Sequence, residues 1–405
     1  MAADHGKDSS SMETLSSFLS GCIDRLEQHA SPAGQHKLNA VLGNTSGDLD
    51  SVCAAIAKAW LLTMTGVPSY PVMNFPSEDL PLRILLFYWL QHVLHESQAE
   101  ANMLERFCID QPLILKGMET SRPWTLTIVD HNELSPTQRD KWQGRVTRIT
   151  DHHKDESHAY EHQDDIEKNI SDPSVGSCCT LIAEEWFASG AAMPREAALL
   201  LLGPILTDTG AFAPELKGSR WSDRDESARE QLCKVVGWDE SRWREAARML
   251  QDAKFDVKEN LSMGLANLLR SDFKLYHYGQ LTVGYSSLTI PLEACFTDTS
   301  DDTTDHALMH HMERNGLDLL IIMAWKLQPT MSREMAVCVR RDDERADEIV
   351  RSIAGISELQ LSPMELPWTP KSTKLAAFFQ GNDKASRKIA EPLIRGCLSG
   401  VTGCE

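Results

Sequence analysis

The 405-residue chain is 42% apolar and 24% charged, and carries a net charge of −19. Its length predicts two domains rather than one core, and its composition is that of a globular protein with no apolar run near the length of a bilayer crossing, so no membrane partner is expected. A chain this acidic is not expected to hold nucleic acid, which needs a basic face, and any polyanionic substrate must be met by local cations and metal ions.

Residues 1–35 open with MAADHGKDSSSMETLSSF and read as a polar, helical extension with neither the basic stretch nor the apolar core of a secretory signal, so a cytoplasmic location is expected. The ten cysteines agree with a reducing compartment. They are scattered without a CxxC pair, and Cys53, Cys338 and Cys397 lie in apolar segments as small core residues do. Adjacent Cys178 and Cys179 lack a second ligand pair at zinc spacing, so a structural zinc site is not expected.

KLNAVL (37–42) reads as a short strand, followed by a polar, glycine-bearing loop and a helix beginning near Ser51, SVCAAIAKAWLL. WTLTIV (124–129) and RVTRIT (145–150) read as two further strands, each running directly into an acidic or histidine-bearing tract. Helices are predicted near 178–188 and 195–206, the second ending in TDTGAF. Three strands thus deliver polar residues at their C-terminal ends, where open α/β sheets bind ligands. The stretch from about 213 to 245 is polar and charged and reads as a domain boundary. Beyond it, KLYHYGQLTVGYSSLTI, LDLLIIMAWKL and MAVCVRR alternate with helical segments, which predicts a smaller mixed domain. The acidic TDTSDDTTD (297–305) lacks the glycine and closing glutamate of a calcium loop and reads as a solvated linker or helix cap. His306 and His310 are four apart on a predicted helix, but no glutamate follows His306 as metalloprotease chemistry requires, so they read as a surface face.

The polar tracts carry the chemistry. Asp48 and Asp50 lie two apart in a loop, a spacing that can turn both carboxylates toward one site. Asp130 follows the second strand, Asp151, His152 and His153 follow the third, and Asp208 closes the later helix. Hard carboxylate oxygens with imidazoles suit Mg²⁺, Mn²⁺ or Co²⁺, and a shared carboxylate can bridge two ions about 3.5–4 Å apart. Any one tract could be an ordinary turn or cap. Their joint occurrence points to a metal site that activates water and neutralises phosphate oxygens.

At these residues the sequence resembles a known family. GNTSGDLDS, TIVDHN, DHHKDE and ILTDTGAF are similar to the four motifs of the DHH phosphoesterase superfamily, in the branch of exopolyphosphatases, prune-type proteins and family II inorganic pyrophosphatases. PVMNFPSEDLPLR resembles a segment typical of the exopolyphosphatase and prune group. DAKFDVKENLSMGLANLLRSDFK and QGNDKASRK resemble its second DHH-associated domain. The resemblance implies an α/β fold: an N-terminal catalytic domain over 36–225 with a mainly parallel sheet flanked by helices, a smaller mixed α/β substrate-binding domain over 246–405, and an active site in the cleft between them. It implies two divalent ions, Mg²⁺ or Mn²⁺ with Co²⁺ as a further candidate. Asp48 and Asp130 would hold one, and Asp50, Asp130, His152 and Asp208 the other. His153 would face substrate as general acid or phosphate donor, His131 would support the site, and Arg387, Lys388 and Lys254 would bind substrate phosphates. Pyrophosphatases of the superfamily carry a histidine ligand four residues before the first aspartate. Asn44 stands there, as in the exopolyphosphatase and prune group, and is counted among the substrate-side residues. An amide is the poorer ligand and favours Mg²⁺. The third motif keeps DHH, where animal prune proteins tend to have DHR. The expected function is therefore removal of terminal phosphate from linear polyphosphate. The alternatives are pyrophosphatase or short-chain polyphosphatase activity, prune-like cyclic-nucleotide hydrolysis, and a regulatory protein without turnover.

Overall fold

The computed structural model of the chain describes residues 14–31, 36–95, 97, 102–119, 121–155, 160, 165–171, 174–296, 301–326, 331–368 and 370–398. Its contacts divide it into two units, Met1–Gln251 and Asp252–Glu405. Among the described residues no helix is long and apolar enough to cross a membrane.

The first unit is built on five parallel strands, β1 (Leu38–Leu42), β2 (Ser69–Val72), β3 (Trp124–Val129), β4 (Val146–Asp151) and β5 (Glu167–Ile170), in the order β2-β1-β3-β4-β5. All five residues of β1 are buried, as strands covered on both faces require. Pro71, which cannot donate to a ladder, lies on the edge strand β2. Strand order reverses between β1 and β3, so the chain leaves these neighbours in opposite directions and opens a crevice beyond their C-terminal ends. The helix Leu49–Met64 packs on β1, β2 and the helices Cys178–Ser189 and Arg195–Asp208, and its small side chains allow it to be buried from Leu49 through Leu62. The helix Leu15–Ala30 joins the same core, with Phe18 stacked on Trp60 at 4.9 Å.

The polar stretch 213–245 differs from the expected boundary. It carries the helix Asp223–Val236 and the start of the helix Glu240–Lys254, which bury Ala228, Leu232, Val236, Trp243, Ala246 and Leu250 in the first core. Its charges lie on solvated faces, so composition alone reads as a linker where an amphipathic pair is packed.

The second unit holds a mixed six-stranded sheet of β6 (Phe273–Tyr278), β7 (Leu281–Leu288), β8 (Leu319–Lys326), β9 (Ser332–Arg340), β10 (Leu361–Met364) and β11 (Thr373–Gln380), ordered β10-β11-β9-β8-β7-β6. Only β7 and β8 pair in parallel. Of the acidic tract 297–305, residues 297–300 lie outside the described ones, while Asp301 opens the helix Asp301–Arg314. Asp305 accepts hydrogen bonds from the backbone of Lys371 and Ser372 at 3.1 Å. His306 and His310 are exposed on that helix with rings 5.9 Å apart.

Candidate metal centre

The helix Leu49–Met64 starts two residues before the predicted Ser51, and this separates the two aspartates of the first tract. Asp48 is its exposed N-cap, with Oδ1 accepting from the Ser51 N–H at 3.0 Å, so the pair does not share an extended loop. Asp50 lies in the first turn and is buried at the N-terminus of the helix Cys178–Ser189. There it accepts hydrogen bonds from Ser177 Oγ (2.7 Å), Cys178 N (2.8 Å) and Cys179 N (3.1 Å). A helix N-terminus supplies unpaired N–H groups and positive potential, so a buried carboxylate is stable against it.

Asp130, just past β3, takes a left-handed backbone conformation (φ 62°) and is buried. Its N–H donates to Thr150 O at 3.0 Å, and its carbonyl accepts from Asn44 Nδ2 at 2.9 Å. Asn44 Oδ1 accepts in turn from Ser46 N at 3.2 Å, so both ends of this amide are occupied in fixing backbone.

His152 follows β4. Its Nδ1 donates to Val175 O at 2.9 Å, which leaves Nε2 facing Asp130 at 3.4 Å and Asp50 at 3.7 Å. A backbone partner on one ring nitrogen is the arrangement that fixes the tautomer of a metal-binding imidazole. Burial opposes the charged ring, but the hydrogen bond to Asp130 and the charge of Asp50 outweigh it and push His152 up to about 10. Burial is also the main cause holding the Asp130 carboxyl well above its usual range, with the charges of Asp50 and Asp48 adding to it. Burial and then the charges of Asp50, Asp48 and Asp208 likewise push up the Cys53 thiol, so the fourth tract lies with the first around this residue.

His153 is 44% exposed, with Nδ1 held by Asp151 Oδ1 at 2.8 Å and lying 3.8 Å from Asp130. Asp151 is fully buried and accepts from Asn132 Nδ2 (2.6 Å) and from the N–H groups of His152 (2.8 Å) and His153 (3.2 Å). Burial would raise its carboxyl, but the His153 hydrogen bond and charge hold it below the usual range. His131 donates from Nδ1 to Val129 O at 2.8 Å, and burial lowers its pKa, so the neutral ring keeps its lone pair on the buried Nε2.

Ligand atoms of Asp130, His152 and His153 all lie within 4.8 Å of one another, close enough to meet one ion. Several carboxylates gathered around one imidazole, in an environment that penalises charge, is a donor set that a divalent cation fits. The other predicted residues lie in the second unit. Arg387 donates to Asp272 Oδ1 at 2.8 Å and to Ser287 Oγ at 3.2 Å, Lys388 is exposed, and Lys254 lies over the Trp325 ring at 5.5 Å. Sequence reasoning missed Val175, Ser177 and the N–H groups of Cys178 and Cys179, because main-chain donors and acceptors carry no residue signature.

Two family profiles match the chain, one described as "DHH family, N-terminal domain" over residues 40–204 and one as "DHHA2 domain" over 248–397. Over 400 residues the chain is 29% identical to Exopolyphosphatase PRUNE1 of Rattus norvegicus, spanning 95% of this chain and 79% of that protein. It is 25% identical over 292 residues to a manganese-dependent inorganic pyrophosphatase of Methanothrix thermoacetophila, spanning 70% and 79%. The crystal structure of a Methanococcus jannaschii protein assigned to the family II inorganic pyrophosphatases superposes with a TM-score of 0.54 at 17% identity, covering 89% of this chain and 99% of that one, a likeness of fold.

Proposed function

The chain belongs to the DHH superfamily, in its exopolyphosphatase and prune group with a C-terminal DHHA2 domain, and from that premise we propose that it hydrolyses the terminal phosphoanhydride bond of linear inorganic polyphosphate. The observation that carries the chemistry is the convergence of Asp130, His152 and His153, with Asp50 3.7 Å from His152. Asp48, Asp50, Asp130, His152 and Asp208 would hold two divalent ions, Mg²⁺ or Mn²⁺, with Asp130 shared. Bound there, the ions supply Lewis acidity toward phosphate oxygens and lower the pKa of water.

The protein's own groups do the rest. Val175 O and the Asp50 carboxylate orient the His152 ring, and the helix terminus at Ser177 holds Asp50 in place. His153, steadied through Nδ1 by Asp151, presents Nε2 as a proton donor to the leaving phosphate. Arg387, Lys388 and Lys254 would bind further phosphates, and Arg387 is preorganised by Asp272 and Ser287. Asn44 supports this reading over a dedicated pyrophosphatase, because its amide is spent on the Asp130 backbone and offers no nitrogen ligand.

Phosphate release from pyrophosphate, tripolyphosphate, long polyphosphate and cyclic AMP, each with Mg²⁺, Mn²⁺ and Co²⁺, tests the proposal. Metal-dependent release is expected with the highest kcat/KM on polyphosphate. Preference for pyrophosphate or cyclic AMP, or no turnover with any metal, overturns it.

A further inference from the structure

Asp225, in the first turn of the helix Asp223–Val236, lies outside both matched segments of the chain. It is fully buried, and its two oxygens have separate tasks. Oδ2 accepts from Ser222 N (2.8 Å) and Ser222 Oγ (3.0 Å), which is the reciprocal cap that starts the helix. Capping needs no more than that. Oδ1 reaches instead to the start of the helix Cys178–Ser189, accepting from Gly176 N at 3.0 Å in the turn before it and from Thr180 Oγ1 at 2.7 Å in its first turn.

Gly176 sits between two residues that act on the metal centre: Val175, whose carbonyl fixes His152, and Ser177, whose hydroxyl holds Asp50. The approach is close enough that a Cβ at Gly176 would collide with the Arg220 carbonyl oxygen and press on Thr209 Cγ2 at 3.1 Å, the residue after Asp208. We infer that Asp225 is a positioning residue of the metal centre, fixing the turn 175–177 and through it the orientation of His152 and Asp50. Resting on the metal reading above, this adds Asp225 to the residues that position the metal ligands. Partners one shell beyond metal ligands typically change metal affinity about ten- to a hundredfold when removed, and Asp225 fixes two such partners, Val175 and Ser177, through the Gly176 between them, which places its effect at the lower end of that range.

The test compares Asp225→Ala and Gly176→Ala with Ser222→Ala, which removes the serine hydroxyl's part of the cap and leaves Asp225 Oδ1 in place. Mn²⁺ affinity of the full chain is measured by the electron paramagnetic resonance of free Mn²⁺, alongside the thermal midpoint of the metal-free protein. Asp225→Ala and Gly176→Ala are expected to raise the Mn²⁺ Kd roughly tenfold or more, and Ser222→Ala to lower the midpoint with Kd within about twofold of wild type. If Asp225→Ala and Ser222→Ala lower the midpoint alike and both keep the wild-type Kd, Asp225 is a helix cap only and the inference fails. Should Asp225→Ala not fold, an unchanged Kd in Gly176→Ala overturns it equally. A wild-type protein that binds no Mn²⁺ removes the metal reading and this inference together.

Discussion

At Asp130 the carboxylate proposed to be shared by two ions is mounted on a left-handed backbone (φ 62°), a conformation that costs a non-glycine residue free energy and persists where its surroundings enforce it. Thr150 O and the Asn44 amide are those surroundings. Asp130→Asn keeps the shape and both backbone hydrogen bonds but removes the shared charge, so turnover should fall below detection while the far-ultraviolet spectrum and thermal midpoint stay near wild type. Comparable activity in that variant would remove the shared-ligand arrangement.

His152 gives a signed pH prediction. Its pKa is raised from 6.5 to about 10, so the ring's favourable interactions stabilise the metal-free fold fully below the unfolded value and are lost as pH rises through the folded one. A metal ion must displace that proton. Metal affinity should therefore rise with pH from neutrality toward 10, with close to one proton released per ion bound at His152. Calorimetric titration in buffers of different ionisation enthalpy measures the release, and heats independent of buffer would contradict it.

Among the elements, β4 is held from behind by a buried ion pair. Lys58, from the helix Leu49–Met64, donates to Thr150 Oγ1 at 3.1 Å and pairs with Glu185 of the helix Cys178–Ser189, while Glu185 also accepts from Thr150 Oγ1 (3.0 Å) and Asn169 Nδ2 (2.8 Å). The Thr150 carbonyl is the acceptor for Asp130 N–H, so this pair lies directly behind the site. Lys58→Met should cost about 3 kcal/mol, the low end for a broken buried pair because the Glu185 side chain remains 24% exposed. Adding Glu185→Gln should recover part of that loss. Urea unfolding of the single and double variants decides, and a single variant as stable as wild type would show that the pair carries no net stabilisation.

For the whole molecule, a net charge of −19 sets the problem of holding a polyanion. Arg387 is one proposed solution, and its tie to Asp272 allows its substrate role to be separated from its structural one. Arg387→Ala removes both, and kcat/KM on tripolyphosphate should fall roughly ten- to a hundredfold, the equivalent of a charge-assisted contact of about 1.5–3 kcal/mol. Asp272→Asn removes the partner alone and should keep kcat/KM within about threefold while lowering the thermal midpoint. Equal kinetic losses in the two variants would assign Arg387 to structure rather than substrate.

The sequence by itself determined which residues could act and on what kind of scaffold. Apolar runs ending in Asp130 and in Asp151-His152-His153 are local patterns, and strand-end placement follows from them because hydrophobic periodicity is written into consecutive residues. It also located the helices Cys178–Ser189 and Arg195–Asp208 nearly to their ends. What only the tertiary structure decided is how those side chains are held. Asp50 is steadied by main-chain N–H groups more than 120 residues away, His152 by the Val175 carbonyl, and the Asp130 backbone by Asn44. Asp225 lies in a stretch that reads in the sequence only as polar and charged, and nothing local to it foretells its reach to Gly176. Backbone donors and acceptors are the same in every residue, so long-range hydrogen bonds to them leave no mark in the sequence until the chain is folded.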